Sequence, residues 1–200
     1  ASRTSGKWLV DLGRDYPLSP QASLTDADAE VTLAFMAAAA RIEPTLAEAR
    51  LWQYNMLWAL RREGEAADAL HAYARIQKDD AAALTSWIAV KTDTIQDLEQ
   101  RVDFWREQAK QSGLPAEAAS DLQRRLAEYH FNRGETAEAL KEVTEALRLF
   151  PENIAARQLA FQVEGDTDNP AGRLSLALDM VRMNPSQTLL VWDLAMLLDE

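Results

Sequence analysis

RGETAEALKEVTEALRLFPEN, Arg133 to Asn153, is the stretch whose reading decides the fold. Gly134 stands near its start, Ala139 and Ala146 lie seven residues apart, and Pro151 comes near its end. Seven residues are two helical turns, so the two alanines share one face of a helix. Small side chains there let a neighbouring helix approach, and Leu140 and Leu147 beside them fill the remaining space. The glycine permits a tight turn into the helix. The proline ends it. A helix pair of this kind has apolar residues on both sides and cannot bury them alone, so neighbours must stack on it.

The rest of the chain has the same character. It holds 200 residues, 48% hydrophobic and 26% charged, which is ordinary for a folded domain. Glycine and proline number seven each, and alanine, leucine, glutamate and arginine, all strong helix formers, dominate. The periodicity predicts helices at roughly 26–43, 45–63, 66–78, 81–93, 95–112, 115–133, 136–150, 152–164, 170–183 and 186–199, and no sheet. Thr45 to Glu48 reads as a capping box, with a weaker version at Thr94 to Asp97. Pro115 and Pro170 read as first-turn prolines. Gly64, Gly113 and Gly134 read as left-handed helix ends, while Gly13 and Gly172 fall inside helical patterns. Links of two to six residues join the predicted helices into antiparallel hairpins.

A period runs through these hairpins. Pro151 and Pro185 lie 34 residues apart, and Gly64 and Gly134 lie 70 apart, close to two such periods. The segment from Ser120 to Asn153 resembles one tetratricopeptide repeat, a 34-residue helix-turn-helix unit. The likeness rests on Leu126 and Ala127, Gly134, Ala139 and Leu140, Ala146 and Leu147, and Pro151. Arg50 to about Gln77 resembles a second copy through Met56, Leu57, Gly64, Ala69, Leu70 and Tyr73, without the closing proline. Residues 81–113 keep Trp87, but their second helix reads as long and off register. Residues 154–187 keep Pro185, with an irregular loop, GDTDNP, at 165–170.

The resemblance implies an all-α fold, a right-handed superhelical solenoid of antiparallel helix hairpins. The expected organisation is an N-terminal helical segment at 1–44, about four repeats at 45–187, and a terminal first-type helix at 188–200. Ser5 to Pro17 resembles the second helix of a preceding repeat. LLVWDLAMLL, Leu189 to Leu198, looks like a first helix without its partner, so the chain is expected to be an excerpt of a longer array. Leu189, Trp192 and Met196 on that last helix form a candidate docking surface.

Composition narrows function. The net charge of −11 and pI of about 4.7 repel phosphate backbones, which argues against nucleic acid. The absence of cysteine excludes disulfides and thiolate chemistry and fits either redox compartment. The best apolar run is broken by Asp193 and falls short of the ~20 residues a membrane span needs. No charged segment followed by an apolar one opens the sequence, so a signal peptide is expected to be absent or removed.

His71 and His130 stand on different hairpins, outside any metal-ligand spacing. Asp166-Thr167-Asp168-Asn169 begins like a calcium loop, but Pro170 occupies the next ligand position. Asp79 and Asp80 read as a solvated helix junction. No nucleophile elbow, P-loop or dinucleotide fingerprint is present. The expectation is a non-enzyme with no cofactor and no metal.

Trp52, Trp87 and Trp105 fall on apolar stripes and read as core. The resemblance assigns a partner-binding face to the first helix of each repeat. By position it nominates Tyr54, Asn55, Trp58, Arg61 and Arg62, then Arg124, Arg125, Glu128, Phe131 and Gln158. Aromatic and arginine side chains are the types that anchor interfaces; the alternative is that Trp58 and Tyr54 pack between repeats and the arginines are solvated ion-pair partners. The clamp by which some family members hold a C-terminal carboxylate is not expected, because Tyr54 and Trp58 replace its first lysine and asparagine. The expected function is a scaffold binding a protein partner through its concave face. Its style is similar to periplasmic repeat regions of bacterial exopolysaccharide-export and biofilm proteins, which favours the periplasm over the cytoplasm. Two alternatives stand beside it: an oligomerisation module, homo-oligomeric through its terminal helices, and a carbohydrate binder using the aromatic groove.

Overall fold

The computed structural model describes residues 5–16, 25–78, 80–167 and 169–183. Within them ten helices follow one another and no strand occurs. They are α1 (Gly6–Arg14), α2 (Asp26–Ile42), α3 (Ala47–Ala59), α4 (Glu63–Ile76), α5 (Ala81–Thr94), α6 (Leu98–Ala109), α7 (Ala116–Asn132), α8 (Thr136–Leu149), α9 (Ile154–Asp166) and α10 (Pro170–Met183). The chain divides into two compact units, Ala1–Gln96 and Asp97–Glu200. In each, consecutive helices pack against one another, and within α2–α5 and within α6–α10 the links are short, as antiparallel hairpins require. The docking helix proposed around Leu189, Trp192 and Met196, together with Pro17, Pro185, Asp79 and Asp168, lies outside the described residues.

The first unit opens with close approach. α1 lies against α2 so tightly that a Cβ on Gly13 would meet Phe35 Cβ and Met36 Cε at 2.8 Å. That explains a glycine inside a helix, where it otherwise costs about 1 kcal/mol relative to alanine. The buried Thr32 hydroxyl shares its proton between the carbonyls of Gly13 (3.2 Å) and Tyr16 (3.3 Å) at the end of α1, where Gly13 O also accepts from the Tyr16 amide (3.4 Å). Leu9, Val10, Met36, Ala39, Ala40 and Ala49 form the core here, with Trp52 packed on it.

In the second unit the alanines of the deciding stretch behave as read. Ala127, Ala139 and Ala146 are fully buried and share a core with Val143, Ala156, Leu159, Ala160 and Val163. Three helices also meet through polar atoms. Ser120 on α7, fully buried, donates to the carbonyl of Ala146 on α8 (2.8 Å) and accepts from Asn153 Nδ2 (2.8 Å). Asn153 in turn caps α9 by accepting from the Ala156 amide (3.0 Å). The first and last residues of the predicted repeat are therefore bonded to each other.

Several local expectations are corrected. Thr45 forms no capping box: α3 starts later, with Leu46 at its N-cap and no side-chain bond there. The helix predicted from 95 begins at Leu98, because Asp97 rather than Thr94 caps it, accepting from the Gln100 amide at 2.9 Å. Pro115 is an N-cap residue rather than a first-turn one. α9 runs through Asp166, so much of the predicted 165–170 loop is helical. Gly64 is not a left-handed helix end but lies within the first turn of α4. The left-handed residue of that turn is Arg61, with φ 60°, while Gly113 and Gly134 do adopt positive φ. Trp87 and Trp105 are buried, in line with the core reading.

Candidate functional site

The ten nominated residues fall into two sets, one in each unit. In the first, Tyr54 and Trp58 stand one turn apart on α3 with ring centres 6.1 Å apart. Tyr54 packs partly buried over Leu57, Ala66 and Ala69, while Trp58 is 41% exposed. Trp58 thus presents part of its ring to solvent one turn from Tyr54. Asn55 beside it is exposed. Arg61 and Arg62 lie past the end of α3. Arg62 grips Glu65 through two bonds of 2.7 and 2.6 Å and also pairs with Glu30, so its guanidinium serves the turn.

In the second unit, the carboxylate of Asp121 accepts from Arg124 (3.0 and 2.9 Å) and from Arg125 (2.7 Å). Arg124 also pairs with Glu128 at 2.9 Å. Burial raises the Asp121 pKa, and the bonds and charges of Arg125 and Arg124 outweigh it, holding the carboxyl below its ordinary range. The side chains of Arg124 and Arg125 are only 18% and 20% exposed. The guanidinium of Arg125 lies 6.0 Å from the centre of the Trp105 ring. These two nominated arginines are thus held in an internal network, and Gln158 stands exposed on α9.

Phe131 is placed differently. With Phe161, Gln162, Gly165, Asp166 and Arg173 it lines a cavity of about 590 Å³. The first unit has a smaller one, about 280 Å³, among Arg50, Gln53, Leu57, Glu65, Asp68 and Ala69. Sequence reasoning found Phe131 but missed Phe161, Arg173 and Arg50. Phe161 and Arg173 lay on helices that the sequence predicted, but their contact runs between two helices and spacing does not show it.

Neither histidine enters these cavities. His71 stacks on Trp87, with centres 4.0 Å apart and planes within 9°. His130 Nδ1 lies 2.6 Å from Glu135 Oε2 at the α7–α8 turn. Among the described residues no group of three or more potential ligands could hold a metal ion. No described helix is long and apolar enough to cross a membrane.

Residues 120–163 match the family model described as tetratricopeptide repeat. No curated protein matches the chain. Among solved structures it is similar to YrrB, described as a tetratricopeptide repeat protein with an unusual peptide-binding site. Identity is 16%, the TM-score is 0.52, and 92% of this chain and 89% of that one are covered. It is also similar to a tetratricopeptide repeat protein from Parabacteroides merdae, at 13% identity and a TM-score of 0.54, covering 98% and 73%. The MamA protein matches at 13% identity and a TM-score of 0.52, covering 92% and 95%. At such identities the likeness is one of fold.

Proposed function

We propose that this chain, whose residues 120–163 match the tetratricopeptide repeat model, is a non-enzymatic scaffold holding a peptide or domain of a protein partner on the first helices of its repeats. The observation that carries the reading is a positional match. Aligned on the left-handed residue that ends each helix, Trp58 of α3 and Phe131 of α7 occupy the same place, three residues before Arg61 and Gly134 respectively. One ring is partly exposed and the other lines a cavity. Two aromatic side chains repeated at one register, neither spent wholly on the core, fit the anchors of an interface. The peptide-binding site named for YrrB supports a peptide as the occupant. The finer assignment, a bacterial envelope assembly for polysaccharide export, is supported by alanine- and arginine-rich helices and the lack of cysteine alone.

The test is affinity capture from a native extract with the parent chain, Trp58→Ala, Phe131→Ala and, as a control, Trp8→Ala, an exposed tryptophan of α1. A partner lost with Trp58→Ala and Phe131→Ala but kept by the control is the expected result. Recovery of the same partners by all four chains ends the proposal.

A further inference from the structure

The Phe131–Phe161 cavity holds a cation without a counter-charge bound to it. The Arg173 guanidinium stands 5.0 Å from the centre of the Phe161 ring. Its Nε is buried and makes no hydrogen bond. Among the described residues Arg173 enters no ion pair, whereas Arg182 on the same helix and Arg157 on α9 both pair with Asp179. Glu164, the chain neighbour of Gly165 in the cavity wall, is already engaged: its Oε2 accepts from Thr167 Oγ1 (3.0 Å) and Asn169 Nδ2 (2.8 Å). Asp166 is the single carboxylate of the lining. Gly165 borders the guanidinium, where a Cβ would make ordinary contact with Arg173 Nε at 3.6 Å.

A guanidinium on an aromatic face is held in place while its remaining donors stay available. A partly desolvated guanidinium lacking an acceptor gains most from a carboxylate, which forms short charge-assisted bonds with it. Two phenylalanines beside it offer room for an apolar side chain. We propose that this cavity anchors an acidic–apolar dipeptide segment of the protein partner. The acidic side chain meets Arg173, the neighbouring apolar side chain sits between Phe131 and Phe161, and a peptide amide N–H donates to Asp166. The proposal rests on the scaffold reading and adds the partner's chemistry to it. It also runs against the long-range field: a chain of net charge −11 attracts basic peptides. A preference for an acidic one must therefore come from this cavity.

Three probes test it by NMR titration of the whole isotope-labelled chain: N-acetyl-Asp-Phe-amide, N-acetyl-Asn-Phe-amide and N-acetyl-Lys-Phe-amide. The acidic probe is expected to bind about ten-fold tighter than its neutral isostere, the range of a charge-assisted bond, and to shift the Arg173 Nε–H resonance. R173Q, checked for fold by circular dichroism, brings the two within about two-fold, and R173K restores part of the difference. F161A weakens all three probes. Equal affinities, tightest binding by the lysine probe, or an acidic preference that survives R173Q overturns the proposal. Capture with Trp58→Ala, in the other unit, reads the scaffold separately. If capture is lost there while the probes show no acidic preference, the cavity assignment falls and the scaffold stands; negative results in both remove both.

Discussion

The turn between α3 and α4 and the turn between α7 and α8 carry the same pair of backbone bonds. In the first, the Arg61 amide donates to Trp58 O (3.1 Å) and the Arg62 amide to Leu57 O (2.9 Å). In the second, Gly134 donates to Phe131 O (2.9 Å) and Glu135 to His130 O (3.0 Å). This is the Schellman arrangement, which needs a left-handed residue after the helix cap. The second turn meets that need with glycine. The first meets it with an arginine at φ 60°, a conformation that costs an L side chain roughly 1–2 kcal/mol. The helix after each turn is then tied to the next N-cap by different chemistry. In the second unit Asn153 reaches the Ala146 carbonyl through Ser120. In the first, Asp80 caps α5 through the Ala83 amide (2.9 Å) and accepts from the Tyr73 hydroxyl (3.3 Å). Tyr73 stands 73 residues before Ala146, and Asp80 stands 73 before Asn153. The capped amide is equivalent in the two units, Ala83 and Ala156, but the tie to the preceding helix runs through a side-chain hydroxyl in one and a backbone carbonyl in the other.

The 73-residue correspondence replaces the 70-residue one drawn from Gly64 and Gly134, and core substitutions break it most sharply. It pairs Ala139 with Ala66, both fully buried; the 70-residue register pairs Ala139 with Ala69, which is slightly exposed. Overpacking a close helix contact costs about 3 kcal/mol at the upper end of the usual range. Ala139→Leu and Ala66→Leu are each expected to lose that much in urea denaturation, and Ala69→Leu clearly less. Ala69→Leu as damaging as Ala66→Leu would return the older register.

The interhelical ties come next. Ser120→Ala strips a partner from Asn153 Nδ2 and from the Ala146 carbonyl at a fully buried position, at a cost of about 2 kcal/mol. Tyr73→Phe removes a longer, partly exposed bond and is expected to cost about 0.5 kcal/mol. Denaturation midpoints of the two variants that coincide would show that the ties are not graded by burial.

A smaller pair of opposite sign sharpens the turn itself. Arg61→Gly relieves the strained backbone and is expected to stabilise by about 0.5–1 kcal/mol, offset in part by the freer unfolded chain. Gly134→Ala is expected to destabilise by about 1 kcal/mol, through strain alone, since no atom lies within 4 Å of a Cβ there. Thermal midpoints moving in the same direction for both variants would contradict a shared turn geometry.

These turns also show what could be read without coordinates. The α7–α8 hairpin was legible because each of its special positions carries the residue its geometry favours: Gly134 at positive φ, buried alanines at 127, 139 and 146, Pro151 after α8. The α3–α4 hairpin was legible as helices but not in register, because Arg61 holds a conformation that sequence associates with glycine. Gly64, three residues on, offered a false landmark. Trp58 and Phe131 were nominated from their place on first helices; the first ring is partly exposed and the second lines a cavity. Arg124 and Arg125 were nominated by the same rule, yet Asp121, three and four residues earlier on the same helix, is a spacing signal that both guanidiniums have a carboxylate within reach. Arg173 escaped notice because its meaning lies in a contact with Phe161 across two helices.

The least disruptive comparison is acidification, which each unit answers through a different group. In the first, His71 is stacked on Trp87; burial, then Arg75, with a smaller push from Lys91, holds its pKa below the ordinary 6.5 against the pull of Asp68. In the second, Asp121 sits below 3.8 because Arg125 and Arg124 outweigh its burial. In both cases the folded state binds fewer protons than the unfolded one, so stability rises with pH and is lost on acidification. The windows differ. The His71 contribution begins to fade as pH falls below about 6.5 and is gone once pH drops through its depressed folded value. The Asp121 contribution is untouched there and fades only below about 3.8. Urea midpoints at pH 8 and pH 5.5 should therefore fall in the parent chain and fall less in His71→Phe, which keeps a flat ring against Trp87. Asp121→Asn should leave the size of that fall unchanged. If His71→Phe shows the parent's full loss between those two values, the stacked imidazole is not the group that senses the change, and the acid response of the first unit belongs elsewhere.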